Sequence, residues 1–64
     1  QKNEFRRSIV LTRSMKKNEI IQKEDLDYKR PGIGIKPELT PMVIGRKLKK
    51  DLEFDHILLT DDFI

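Results

Sequence analysis

The 64-residue chain predicts a small, mostly β domain of short strands and single-turn helices with internal twofold repetition. Three observations carry that expectation. No segment sustains a helical apolar period over about twelve residues, so long helices are excluded. All three prolines and all three glycines fall between residues 31 and 45, which breaks the chain's middle into turns. The apolar pattern also repeats: Met15, Ile20, Ile21 and Leu26 match Leu52, Ile57, Leu58 and Phe63 at an offset of 37 residues, and Glu24-Asp25 matches Asp61-Asp62. Each copy reads apolar, polar turn, apolar pair, acidic turn, apolar. Neither copy can bury its apolar side alone, so the two must pack as hooks around one core.

Taken in order, Arg7 to Arg13 forms a first strand, since Ile9, Val10 and Leu11 are contiguous and two are β-branched. Ser14 to Glu19 turns, and Asn18 tolerates the left-handed conformation that such a turn needs. Ile20-Ile21 fits a brief strand, and Gln22 to Leu26 one helical turn. Asp27 to Arg30 is extended, because the residue before Pro31 avoids the α region. In that extended segment Tyr28 and Arg30 share one side. Pro37-Glu38-Leu39 and Pro41-Met42-Val43 each start a single turn with proline at a favoured first position, and Thr40 caps the second. Arg46 to Lys50 forms a strand around Leu48. Ile57-Leu58-Leu59 extends, and Thr60 caps a last turn through Asp61, Asp62 and Phe63. The expected core is Ile9, Leu11, Ile20, Leu26, Leu48, Leu52, Ile57 and Phe63.

A chain this short supports one domain, buries only about 60% of its unfolded surface and is marginal alone. It has no cysteine, hence no disulfide staple and no thiolate metal site. No apolar run approaches the 18 or so residues that span a membrane, and no apolar stretch follows the basic start as in a signal peptide. Residues 1–30 carry nine Lys/Arg against five Asp/Glu, and residues 31–64 five against six, for a net charge of +3. Arg46-Lys47 and Lys49-Lys50 lack interleaved aromatics, which argues against a nucleic-acid groove. His56 stands alone, without the cluster that a metal or a catalytic base requires. Ser8 and Ser14 carry no nucleophile motif, and Asp61-Asp62 reads as capping acids. No catalytic residue and no metal ligand are therefore assigned.

The most informative stretch is Arg30-Pro31-Gly32-Ile33-Gly34-Ile35. Pro31 stiffens the loop and Gly32 and Gly34 shape it, with at least one glycine expected in a backbone region closed to other residues. The loop seats the Arg30 guanidinium, a planar fork suited to anions, amides or sugar oxygens. A water-facing arginine on a tight turn needs no ligand and is the plainer alternative. Phe5, beside Arg6 and Arg7, reads either as an anchor on this domain's core or as an apolar contact with a neighbouring body.

With Phe5-Arg6-Arg7-Ser8-Ile9, Met15-Lys16-Lys17-Asn18-Glu19-Ile20-Ile21, Lys29-Arg30-Pro31-Gly32-Ile33-Gly34-Ile35, Val43-Ile44-Gly45-Arg46-Lys47 and Leu48-Lys49-Lys50-Asp51-Leu52 in this order, the chain closely resembles the C-terminal antifreeze-like (SAF) domain of bacterial sialic acid synthases. The resemblance runs from Phe5 to about Phe63. It implies a β-clip fold, shared with type III antifreeze proteins, over residues 7–64, with residues 1–6 ending an interdomain linker. It implies a parent enzyme with an N-terminal TIM barrel. That barrel binds Mn2+ or Mg2+ and condenses phosphoenolpyruvate with an N-acylated amino sugar such as N-acetylmannosamine, giving a nonulosonic acid and phosphate. In the implied cytoplasmic homodimer, this domain lids the partner subunit's active site and supplies an arginine, by motif position Arg30, to the sugar, with Phe5 near the same site. On this reading the isolated domain is a monomer without enzyme activity or cofactor, and binds neither nucleic acid nor membrane. The alternative is a stand-alone carbohydrate- or ice-binding module of the same fold. Relatives commonly carry a glycine-bearing turn where this chain has Asn18-Glu19, and the matching place of the second copy, Asp55-His56, has no glycine either.

Overall fold

The computed structural model describes residues 6–64. Two strands form its only regular ladder among them: β1, Ser8–Leu11, pairs antiparallel with β2, Leu26–Lys29, in the register Ser8 to Lys29 and Leu11 to Leu26. Among the described residues the one α-helical turn, α1, is Thr40–Val43, and single 3-10 turns occupy Lys23–Asp25, Pro37–Leu39 and Thr60–Asp62. The rest is held by isolated bridges, Val10 with Ile57, Met15 with Leu52, Ile20 with Lys47 and Leu48 with Phe63. The expected strand around Leu48 is thus reduced to its two bridging residues, Lys47 and Leu48.

The repeat read from the sequence is a structural twofold. Met15 and Leu52, equivalent positions of the two copies, bridge each other through a reciprocal pair of backbone bonds of 2.8 Å each, so the pseudo-axis passes between them. Away from it, backbone bonds recur in equivalent pairs. Leu11 N donates to His56 O at 3.1 Å and Leu48 N to Glu19 O at 2.9 Å; Ile21 N donates to Arg46 O and Leu58 N to Ile9 O, both at 2.8 Å. Asn18 and Asp55, again equivalent, have φ of 78° and 71°. Asn18 takes the left-handed place anticipated for it, and Asp55 does so in the second turn. Both residue types bear that conformation because a short polar side chain hydrogen-bonds locally.

Each hook ends in a 3-10 turn closed by its last aspartate. The Asp25 carboxylate accepts from Gln22 N at 2.9 Å, and the Asp62 carboxylate from Leu59 N at 2.8 Å. Thr60 therefore does not cap its turn. The cap is made from inside, by an acid reaching back to an otherwise unpaired N–H. Thr40 is likewise not a cap. It lies within α1, and its hydroxyl donates to Pro37 O at 2.6 Å.

The core is Ile9, Leu11, Met15, Ile21, Leu26, Ile35, Val43, Leu48, Leu52 and Leu58. Ile9, Leu11, Leu26, Leu48 and Leu52 are buried as expected, whereas Ile20 is 43% exposed and Ile57 and Phe63 are only partly covered. In both apolar pairs the second member, Ile21 or Leu58, is the fully buried one. Neighbouring side chains on extended backbone point to opposite sides, so only one of each pair can face inward. A twofold places the same member inward in both copies.

Candidate functional site

Residues 30–44 join the first copy to the second. This connecting insert leaves β2 at Arg30, follows a cis Arg30-Pro31 peptide, and is tied back at three places. Ile35 N donates to Leu58 O at 3.3 Å while Ile35 O accepts from Ile9 N at 3.2 Å, which threads the insert between the two hooks. Ser8, fully buried, donates its hydroxyl to Pro31 O at 2.6 Å and accepts from Gly34 N at 2.9 Å. The Thr40 hydroxyl uses its one proton on Pro37, so the Tyr28 O–H is the donor in their 2.8 Å contact and pins β2 to α1.

The two glycines of the loop act by close approach. Gly45 is the glycine at positive φ (92°), so the expectation that Gly32 or Gly34 requires such a conformation is not met. A Cβ on Gly32 would overlap the Arg6 side chain and lie 3.1 Å from the Arg6 carbonyl carbon. One on Gly34 would sit 2.6 Å from Ile57 Cγ2 and 2.8 Å from Leu58 O. Glycine is thus required for backbone-to-backbone proximity. Gly32 lets the Arg30 loop lie against the segment carrying Arg6 and Arg7. The ladder does the same from the other side: Ser8 stands opposite Lys29, so Arg7 and Arg30 follow outward at the same end.

The result is an open cleft of about 530 Å³ lined by Arg6, Arg7, Arg30, Gly32, Gly34, Lys36, Pro37 and Glu38. All four cations are exposed. The sequence pointed to Arg30 and the loop glycines, and the structure brings these together. It adds Arg6, Arg7 and Lys36, to which the sequence reading gave no site role because strand register and loop contact decide their convergence. Ser8 is the positioning group that sequence reading missed; a serine beside two arginines gives no sign of a bond to a loop 23 residues away. Phe5, proposed for the same site, lies outside the described residues.

The other polar side chains serve the scaffold. Arg13 spans Asp25 at 2.9 Å and Glu19 at 3.0 Å, and these two hydrogen bonds raise its guanidinium further above its already high range. Glu19 is held below the ordinary carboxylate range by the Lys16 N–H and by Arg13. His56 Nε2 lies 2.8 Å from Asp62, and Lys50 Nζ 3.5 Å from the same carboxylate. Burial alone would push the Asp62 carboxyl up. The hydrogen bonds from His56 and Leu59 N, together with the His56 and Lys50 charges, outweigh it and hold Asp62 below its usual value. Lys29 pairs with Asp55 at 2.6 Å, which raises its ammonium, and lies 5.7 Å from the Phe54 ring centre. Among the described residues no group of three His, Cys, Asp or Glu side chains comes together to hold a metal ion, and no helix is long and apolar enough to cross a membrane.

The twofold arrangement of short strands and turns is a β-clip, and residues 6–64 match the model of the SAF domain: the chain belongs to the SAF domain family. Its similarity extends to proteins that carry such a domain within a longer chain. It is 36% identical over 59 residues to a pseudaminic acid synthase of Campylobacter jejuni, and 43% identical over 54 residues to an N,N'-diacetyllegionaminic acid synthase of Legionella pneumophila. It is also 41% identical over 61 residues to an uncharacterised protein of Methanocaldococcus jannaschii. These matches cover 92%, 84% and 95% of this chain but only 17%, 15% and 18% of those proteins. The domain therefore belongs with the SAF domains of nonulosonic acid synthases, and it spans less than a fifth of the length of such relatives.

Proposed function

We propose that this domain is the substrate-gating lid of a nonulosonic acid synthase, an enzyme that joins phosphoenolpyruvate to an N-acylated amino sugar and releases phosphate. In this reading the domain sits over the active site of a partner subunit's barrel and Arg30 donates hydrogen bonds to the sugar's acyl carbonyl or hydroxyls. The divalent metal and the condensing groups belong to the barrel; this domain binds, orients and excludes water. The observation that carries the reading is the seating of Arg30. Its loop is stapled by Ser8, pressed onto Arg6 through Gly32 and opens into a cleft, while no carboxylate among the described residues pairs with it. A guanidinium held by its backbone and left without an internal acceptor is free to serve an outside one, at little conformational cost. The runs of similarity to two synthases supply the reaction class.

The test is Arg30→Ala in the full-length protein, with steady-state kinetics in the amino sugar. Losing a charge-assisted hydrogen bond costs about 1.5–3 kcal/mol, so sugar-dependent kcat/KM should fall at least tenfold while the protein stays folded. Arg30→Lys should restore only part, because an ammonium cannot reproduce the fork. Unchanged kinetics for Arg30→Ala would rule the lid arginine out.

A further inference from the structure

Exposed apolar surface gathers beside the Arg30 cleft. Among the described residues seven large apolar side chains are exposed. Four of them, Ile33 (62%), Met42 (61%), Leu59 (46%) and Leu39 (41%), line two neighbouring depressions of about 590 and 170 Å³. The depressions share Ile35, Leu39 and Thr60 in their walls, so they form one trough. Ile33, Leu39 and Met42 come from the insert, and Leu59 from the second hook. The exposure follows from how the insert is built. Its two single turns, Pro37–Leu39 and Thr40–Val43, send Val43 into the core beside Ile35. Turns this short have no second side to hide Leu39 and Met42. The other exposed apolar side chains, Ile20, Phe54 and Ile64, line neither depression.

Single apolar side chains on a surface need no explanation, whereas a contiguous apolar trough marks a contact surface. Gly34, Lys36 and Glu38 line both the trough and the cleft that holds Arg30, so the two lie side by side. In the synthase reading, on which this inference rests, the cleft faces the body that holds the sugar. A trough joined to the cleft along three residues meets that same body when Arg30 reaches the sugar. The body is large, since the matches cover only 17% and 15% of the two synthases. We infer that the trough is a docking seat for apolar side chains on the rim of the partner subunit's barrel. Burial of Ile33, Leu39, Met42 and Leu59 supplies the attraction that holds the lid down, and Lys36 and Glu38 form the polar edge towards the cleft. Arg30 is then left to orient the sugar instead of holding the domain in place.

The test is photocrosslinking in the full-length protein. A photoreactive benzoylphenylalanine replaces Met42 or, as a control outside the trough, Phe54; both side chains are exposed, so neither replacement disturbs the core. Linked peptides are mapped by mass spectrometry. The probe at Met42 should link to the barrel, and the probe at Phe54 should not. A link from Met42 to a second copy of this domain, no link outside the domain, or equal linking from Phe54 would each overturn the docking seat. The variant Ile33→Ser/Met42→Ser, also confined to exposed positions, should raise the KM for the sugar about tenfold with kcat less affected, because a loosely held lid weakens binding before it weakens chemistry. An unchanged KM would overturn the trough's part in closure. Linking from Met42 alongside normal Arg30→Ala kinetics would sink the lid arginine alone. Impaired Arg30→Ala kinetics without linking would sink the docking seat alone.

Discussion

The two hooks of this domain and the insert between them are built on different principles. Residues 9–27 and 46–64 repeat one another bond for bond at their turns, bridges and capping aspartates, although their side chains differ: Arg13, itself held by Glu19, pairs with Asp25 where Lys50 and His56 pair with Asp62. Residues 30–44 connect the two hooks, contain only short turns, and contribute Ile35 and Val43 to the core. The hooks carry the stability; the insert, together with Arg6 and Arg7, carries the cleft. The lesson is a division of labour. A symmetric frame satisfies its own polar groups and leaves one asymmetric segment free to specialise, as functional segments held on rigid scaffolds commonly are.

The frame is broken most severely at its equivalent core positions. Ile21→Ala and Leu58→Ala should each cost about 2–5 kcal/mol, a large part of the stability of so small a domain. Ile20→Ala and Ile57→Ala, their less buried neighbours, should cost clearly less. Urea unfolding of the four variants checks this, and a larger loss at Ile20 than at Ile21 would contradict the register.

Asp62→Ala removes the acceptor of Leu59 N, His56 and Lys50 together and should cost about 1.5–3 kcal/mol at neutral pH. Its pH dependence has a definite sign. Asp62 ionises below its usual value of 3.8 in the folded state, so its stabilisation is complete above that pH and is lost as pH falls through the lower folded value. Glu19, also depressed, adds to the same acid window. Unfolding followed by circular dichroism between pH 6 and pH 2 (conditions of about that range) should show a shallower acid loss in Asp62→Ala than in the parent.

Two glycine substitutions sharpen the contrast between frame and insert. Gly34→Ala forces a methyl against Leu58 O and should cost about 1–3 kcal/mol while shifting the Arg30 loop. Gly45→Ala meets open space, and only its positive φ opposes it, for about 1 kcal/mol. Thermal melts rank the two, and under the proposed lid function only the first should also impair sugar-dependent turnover of the full-length protein. The smallest effect is expected for Ser8→Ala. Its partner Pro31 is exposed, so water replaces part of the lost bonding and the cost is about 1 kcal/mol, with faster amide exchange at Gly34.

The sequence alone carried the twofold: equal spacings of apolar pairs, polar turns and acids determined that two hooks pack together, and Asn18 announced its left-handed turn by residue type. It also singled out the Arg30 loop, since Pro31, Gly32 and Gly34 mark a constrained segment wherever they occur. Which of two adjacent isoleucines is buried was not legible, because a pair without alternation fits either register and only the partner hook decides between them. The glycines' purpose was misread for a related reason. Torsional freedom is a local property, whereas Gly32 and Gly34 are required by Arg6, Ile57 and Leu58, residues 23 or more positions away that only tertiary contact brings near. Ser8 and the gathered cations of the cleft belong to the same class: each residue is ordinary where it stands in the chain, and its role exists only once β1, β2 and the insert have met.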